Sequence, residues 1–204
     1  MMKDFWNERY SGKEFVYGEN PNEYLKAKLT GLHTGKILFP AEGEGRNAVF
    51  AAKLGWTVSA FDQSGTGKEK AGMLARKNSV TIDYIVSEAE NINYTENSFD
   101  ALALIYAHFP SGERKAYHQK LSSYLKKGGI LILEAFGKEH MVNQRNNPDA
   151  GGPKDIAMLY SLKEIKDDFD GFEFIEANEL EKELSEGKHH VGKADVVQIY
   201  AIKK

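Results

Sequence analysis

The run Ile37-Leu38-Phe39-Pro40-Ala41-Glu42-Gly43-Glu44-Gly45-Arg46-Asn47-Ala48 constrains this chain more than any other stretch. An apolar segment ends in a glycine-bearing turn, and the turn opens at once onto a helical pattern over 48–54. A strand joined to a helix by so short a turn points backbone N–H groups and the positive end of a helix at an open crevice. Gly43 and Gly45 carry no Cβ, so the spacing predicts a backbone that a ligand can approach closely. A second strand-like run, 57–61, ends in Asp62, the acid expected to meet ribose hydroxyls. Together these features predict an adenosine-type cofactor.

The rest of the chain extends the same theme. Strand-like runs fall at 37–40, 57–62, 81–86, 101–106 and 129–136, with helix-like runs at 46–54, 65–78 and 112–126 between them. That alternation predicts βαβ units and a parallel sheet. Ile130-Leu131-Ile132-Leu133 is apolar on both faces, as a central parallel strand should be, and Lys127-Gly128-Gly129 reads as a helix stop before it. Residues 1–30 read as helix, loop, helix. Phe5, Trp6 and Tyr10 share one face, and Asn22 caps a helix containing Tyr24, Leu25 and Leu29. After a helix over 162–169 come two strands, 172–180 and 196–202, separated by a polar loop over 185–193. With no helix between them they predict an antiparallel hairpin at the sheet edge. The long polar stretch 137–160 is expected to be a lid or substrate loop.

Length predicts one domain over 1–204, with residues 1–35 as a helical cover. The absence of cysteine excludes disulfides, zinc–thiolate sites and cysteine nucleophiles, and favours a reducing, cytoplasmic setting. Residues 1–9 hold no apolar core of signal-peptide length, and no apolar run approaches membrane-spanning length. The net charge of −3 argues against a broad basic surface for nucleic acid. No metal site is expected, and a monomer or weak homodimer is.

Gly43-x-Gly45-x-x-Ala48 with Asp62 also fits the dinucleotide fingerprint, which permits a nicotinamide-dependent oxidoreductase. Glu42, directly before Gly43, argues the other way. A carboxylate there repels a diphosphate and suits a cofactor with a cationic centre.

The chain resembles class I S-adenosylmethionine-dependent methyltransferases, most nearly the tellurite-resistance/thiopurine-methyltransferase-like branch. The residues that carry the resemblance are 39–47, Phe61-Asp62-Gln63-Ser64, Phe99-Asp100 leading to Ile105-Tyr106-Ala107-His108-Phe109-Pro110, Leu125-Lys126-Lys127-Gly128-Gly129, and the late block 183–197 with His190. The resemblance implies an α/β, Rossmann-like three-layer sandwich. Its seven-stranded, mostly parallel sheet has the order 3-2-1-4-5-7-6 with strand 7 antiparallel. The chain departs from the common pattern at Phe39 and Ala41, where an acid and a glycine are usual, and at Ser87, where an acid is usual.

Expected cofactor-binding residues are Glu42, Gly43, Gly45, Asp62 and Gln63, with Glu88 and Ala89 replacing the acid missing at Ser87. By resemblance, Arg9 and Tyr17 cover the methionine end. His108, after the fourth strand, reads equally as a catalytic group that orients or deprotonates an acceptor and as a buried, hydrogen-bonded histidine. His190 and Arg145 are expected on the substrate side. Ser64 lacks the G-x-S-x-G elbow of a hydrolase, and the exit of the fourth strand lacks the Asn/Asp-Pro-Pro-aromatic motif of nucleic-acid amino methylation. The expected reaction is in-line methyl transfer to a small molecule, by resemblance a thiol or a chalcogen or metalloid oxyanion. It rests on proximity and alignment rather than on a triad. A non-catalytic S-adenosylmethionine-binding module is the other alternative.

Overall fold

The computed structural model describes residues 2–204, and Met1, assigned above to the N-terminal cover, lies outside the described residues. Seven strands form one sheet: β1 Lys36–Pro40, β2 Thr57–Asp62, β3 Asp83–Val86, β4 Phe99–Ile105, β5 Leu125–Phe136, β6 Phe172–Glu186 and β7 His190–Lys203. Their order is β3-β2-β1-β4-β5-β7-β6. The β1–β2, β1–β4, β2–β3 and β4–β5 pairs are parallel, and β7 runs antiparallel to both β5 and β6. The expected α/β class and strand order are those found.

Helices cover both faces because strand residues alternate sides. Ile37 and Phe39 of β1 pack with Leu25 of α2 (Glu23–Leu29), Ala48 and Ala51 of α3 (Arg46–Lys53) and Ala71 of α4 (Gly65–Lys77). Leu38, between them in sequence, faces the other way, in one cluster with Leu121 of α5 (Ser111–Ser123) and Ile165 and Phe169 at α7 (Leu162–Asp168). Helix α1, Met2–Arg9, precedes a loop, and Asn22 caps α2 as expected, its side-chain oxygen accepting from Leu25 N.

Three boundaries differ from expectation. The helix expected to run to 126 stops at Ser123, because the Tyr124 carbonyl accepts from Ser98 and Phe99 N–H and draws the chain into register with β4. Gly128, at φ +77°, therefore lies within β5 rather than at a helix end. The polar loop expected over 185–193 is instead the tip of a long hairpin, with β6 and β7 paired as far as Glu186 and His190. Its sequence looks polar because only alternate side chains are buried: Leu184, Ala194 and Val196 pack with Phe136 and Leu159, while Glu179, Glu181 and Glu183 stay out. The stretch 137–160 is folded as well. It contains α6 (His140–Asn146) and two short 3-10 turns, and is tied down by Tyr160 N to the Phe136 carbonyl at 3.0 Å and by Asn147 Nδ2 to the Val191 carbonyl at 2.8 Å.

Candidate active site

A cavity of about 800 Å³ opens over the C-terminal ends of β1, β2, β4 and β5, where the crevice of an open parallel sheet lies. Its floor is the turn after β1. Ala41, Gly43 and Gly45 all have positive φ, at 51°, 60° and 86°. Ala41 thus adopts the left-handed conformation for which the common pattern supplies glycine, and Phe39, in the place of the usual acid, is fully buried core. A Cβ on Gly43 would lie 2.6 Å from Tyr10 Oη, and one on Gly45 2.5 Å from the Ala71 side chain, so protein packing by itself excludes larger residues there. Gly43 does line the cavity; Gly45 does not, and serves as the N-cap of α3.

Glu42 Oε1 accepts from Asn47 N at 2.9 Å and Ala48 N at 2.8 Å, so the carboxylate caps α3 from within the turn. Burial pushes its pKa up to about 7, against the pull of those amides and of Arg46. The helix N-terminus that a pyrophosphate would need is already filled by a carboxylate. Asp62, buried at the end of β2, accepts from Gly43 N at 3.1 Å through Oδ2 and from Ser64 N at 2.8 Å through Oδ1. Burial raises its pKa, and the same amides oppose the rise. Each carboxylate oxygen has two lone pairs, so both retain acceptor capacity for the two hydroxyls of a ribose. The Asn47 and Ala48 amides are thereby withdrawn from any pyrophosphate at this turn, while Asp62 keeps acceptors facing the cavity.

The N-terminal segment closes one side. Glu44 Oε2 accepts from Val16 N at 2.8 Å, while its Oε1 takes Lys70 Nζ at 2.6 Å. Arg9 and Tyr17 line the cavity, with the Arg9 guanidinium 4.9 Å from the Phe5 ring centroid. Gln63, Glu88 and Ala89 also line it.

Beneath the third side runs a buried polar network. Arg46 donates to Glu186 Oε2 at 2.7 Å, and Asn22 Nδ2 reaches both Glu186 Oε1 (3.0 Å) and Glu134 Oε1 (2.6 Å). Glu134, fully buried, also accepts from the Tyr106 hydroxyl at 2.7 Å and pairs with Lys182 at 3.1 Å. Tyr106, at φ +53°, is a bulky residue in a backbone region that costs about 1–3 kcal/mol, held there by this bond and by stacking on Phe136. Glu134, Glu186, Arg46 and Tyr106 were not among the expected site residues. One signal was present: Glu134 is the single carboxylate within the apolar run 130–136. Arg46 and Glu186 lie within the resemblance segments 39–47 and 183–197, but nothing in the sequence pairs them with each other.

The histidines divide. His108 lies at the cavity, but Nδ1–H donates to the Met158 carbonyl at 2.8 Å and Nε2 accepts from Phe136 N at 3.2 Å. Burial pushes its pKa down to about 4, against the pull of the Met158 carbonyl. It is a neutral strut between β4, β5 and the 137–160 segment, with no lone pair left for a substrate proton. Its ring is hydrogen-bonded through both nitrogens and half-buried at the cavity wall. His190 lines the cavity with Nδ1 3.3 Å from Glu186 Oε2 and its ring 4.5 Å from those of Tyr17 and Tyr106. Arg145 is exposed on α6 and absent from the cavity wall, so its expected substrate role is not supported. Among the described residues no group of three or more acidic or histidine side chains is placed to hold a metal, and no helix is long and apolar enough to cross a membrane.

The sheet order and crevice define the class I methyltransferase fold. Residues 37–129 match the family model described as a methyltransferase domain. Three solved structures agree over most of the chain. One concerns the conversion of a disulfide bond into a thioacetal group during echinomycin biosynthesis (18% identity, 100% of this chain and 93% of that one, TM-score 0.78). Another is TehB from Haemophilus influenzae (17%, 99% and 67%, 0.72). The third is magnesium protoporphyrin IX methyltransferase from Synechocystis PCC 6803 with bound SAH (13%, 100% and 98%, 0.72). A search of curated protein sequences finds no match. The expected class I methyltransferase architecture is therefore that of this chain.

Proposed function

We propose that this protein transfers the methyl group of S-adenosylmethionine to a small-molecule acceptor. The observation that carries the reading is the Glu42 carboxylate on the α3 amides beside a buried Asp62 with acceptor capacity to spare. That turn offers acceptors to a ribose and a cationic centre and withdraws the Asn47 and Ala48 amides from a diphosphate. The nicotinamide reading loses its anchor for this reason. In this reading Asp62 accepts from the ribose hydroxyls. Gln63, Glu88 and Ala89 flank the adenine end, and Arg9 and Tyr17 the methionine end, all as lining residues of one cavity.

The bound cofactor supplies an already activated methyl group, so the chain's own task is alignment and exclusion of water. Alignment rests on rigid parts: the α3 cap, the Glu44–Lys70 pair and the Arg46–Glu186–Asn22 network. Of the two acceptor classes suggested by resemblance, the cavity supports the thiol. Carboxylates outnumber cations on its wall, and Arg46 is already committed to Glu186 and to the Tyr17 and Asn20 carbonyls. An oxyanion would find little compensating charge. Label transfer from methyl-labelled S-adenosylmethionine to a panel of thiols, selenite and tellurite tests the reading; thiol products are expected. Replacing Asp62 by Ala should weaken cofactor affinity about tenfold or more, through lost charge-assisted hydrogen bonds. Binding without transfer across the panel would favour a non-catalytic module instead.

A further inference from the structure

Three histidines line the cavity, and two of them, His108 and His190, differ in what their second nitrogen does. In His108 both ring nitrogens are occupied by backbone groups. In His190 only Nδ1 is engaged, by Glu186 Oε2. Nε2 has no hydrogen-bond partner among the described residues. Nor is it sealed, as the unpartnered Nε2 of His118 and Nδ1 of His140 are. His190 is 5% exposed, and the space its ring adjoins is the cavity.

Glu186 is itself immobilised, by Arg46 at 2.7 Å and Asn22 at 3.0 Å. Burial works against its charge, but His190 and Arg46 beside it hold its carboxyl at about 2. A carboxylate fixed in this way sets the imidazole tautomer: Nδ1 carries the proton and donates it to Glu186, so the Nε2 lone pair is free. Tyr17 and Tyr106 rings on either side, and Phe136 at 5.1 Å, hold the ring plane. The charged and titratable groups around it are Glu186 on β6, Arg46 on α3, Glu134 on β5, His140 on α6, His108 after β4, and the two tyrosines. Burial keeps His190 below its ordinary pKa, with Glu186 pulling the other way, so it is neutral and able to accept a proton at neutral pH.

We propose that His190, oriented by Glu186, is the group that takes the proton from a neutral thiol acceptor with an apolar or aromatic body, seated against the Tyr17–Tyr106–Phe136 wall. The proposal rests on the methyltransferase reading with its thiol acceptor and adds to it the base. The thiol S–H bond breaks as its proton passes to Nε2. The electron pair left on that sulfur forms the new S–CH3 bond, the methyl's old bond breaks with its pair returning to the sulfonium, and the proton leaves later to solvent. Glu186 acts through His190 and is a positioning residue.

The test compares two aromatic thiols: benzyl mercaptan, which is protonated at neutral pH, and 4-nitrothiophenol, which is already a thiolate. Wild type should methylate both. His190→Asn should lose about a hundredfold with benzyl mercaptan, the scale of general-base catalysis, and stay within about fivefold with 4-nitrothiophenol. Glu186→Gln should show the same selectivity with a smaller loss. A second readout is the pH profile: wild-type kcat/KM for benzyl mercaptan should rise with pH as the His190 imidazole loses its proton, a limb lost in His190→Asn. Equal losses on both thiols, no loss on benzyl mercaptan, or a wild type that binds S-adenosylmethionine yet methylates neither thiol would each overturn the proposal. Calorimetry keeps the two readings apart: a wild type that does not bind S-adenosylmethionine at all sinks the methyltransferase reading instead.

Discussion

Glu42 sits with one oxygen on two backbone amides, and burial pushes its pKa up to about 7. Relative to the unfolded chain, where a glutamate titrates near 4.5, the native state holds its proton more tightly. This contribution to stability is complete below about pH 4.5 and is lost as pH rises through about 7. It is worth on the order of 3 kcal/mol, at about 1.4 kcal/mol per pKa unit. Glutamine at this position keeps an oxygen for both amides but cannot titrate. Urea unfolding at about pH 5 and pH 8 should show wild type losing more stability on alkalinisation than Glu42→Gln. Parallel pH dependences would rule out the assignment. From sequence, the acid before Gly43 was legible as hostile to a diphosphate, but its grip on the α3 amides was not, because that depends on the left-handed turn at Ala41, Gly43 and Gly45. His108 makes the same point. Its position after β4 was readable; that Met158 and Phe136 would occupy both its nitrogens was not.

At the scale of elements, the N-terminal segment and the β6–β7 hairpin meet over the cavity. Lys188 N donates to the Val16 carbonyl at 2.7 Å, and a Cβ on Gly187 (φ +67°) would lie 2.3 Å from that same oxygen. The segment is fastened below by the buried Glu44–Lys70 pair, both partners less than a tenth exposed. Removing one partner of such a pair strands the other charge, at a cost of about 3 kcal/mol or more. Lys70→Met should therefore lower unfolding stability by that order and open residues 11–20 to limited proteolysis. Wild-type stability together with a protease-resistant N-terminus would show that the pair is not the fastening. The two N-terminal helices and the hairpin were legible from composition and periodicity. The hairpin's reach was not, since one buried face in a charge-rich segment looks like loop until its partner strand supplies the alternation.

For the whole molecule, a ligand that binds only the folded state must raise stability by mass action. S-adenosylmethionine at a hundred times its dissociation constant should stabilise the protein by about 2.7 kcal/mol, seen as a rise in melting temperature, while NADH should leave the melt unchanged. The reverse pattern would restore the dinucleotide reading of 43–48. The βαβ alternation, the glycine turn with Asp62 and the two late strands determined the class of fold and the end of the sheet that carries the site, because periodicity and turn chemistry are local properties of a chain. Tertiary structure alone decided which polar groups remain available there. Glu134, Glu186, Arg46, Asn22 and His190 come from β5, β6, α3, the α2 cap and β7. Whether a histidine nitrogen is spent on a backbone group or left facing a cavity is set by neighbours that sequence distance conceals.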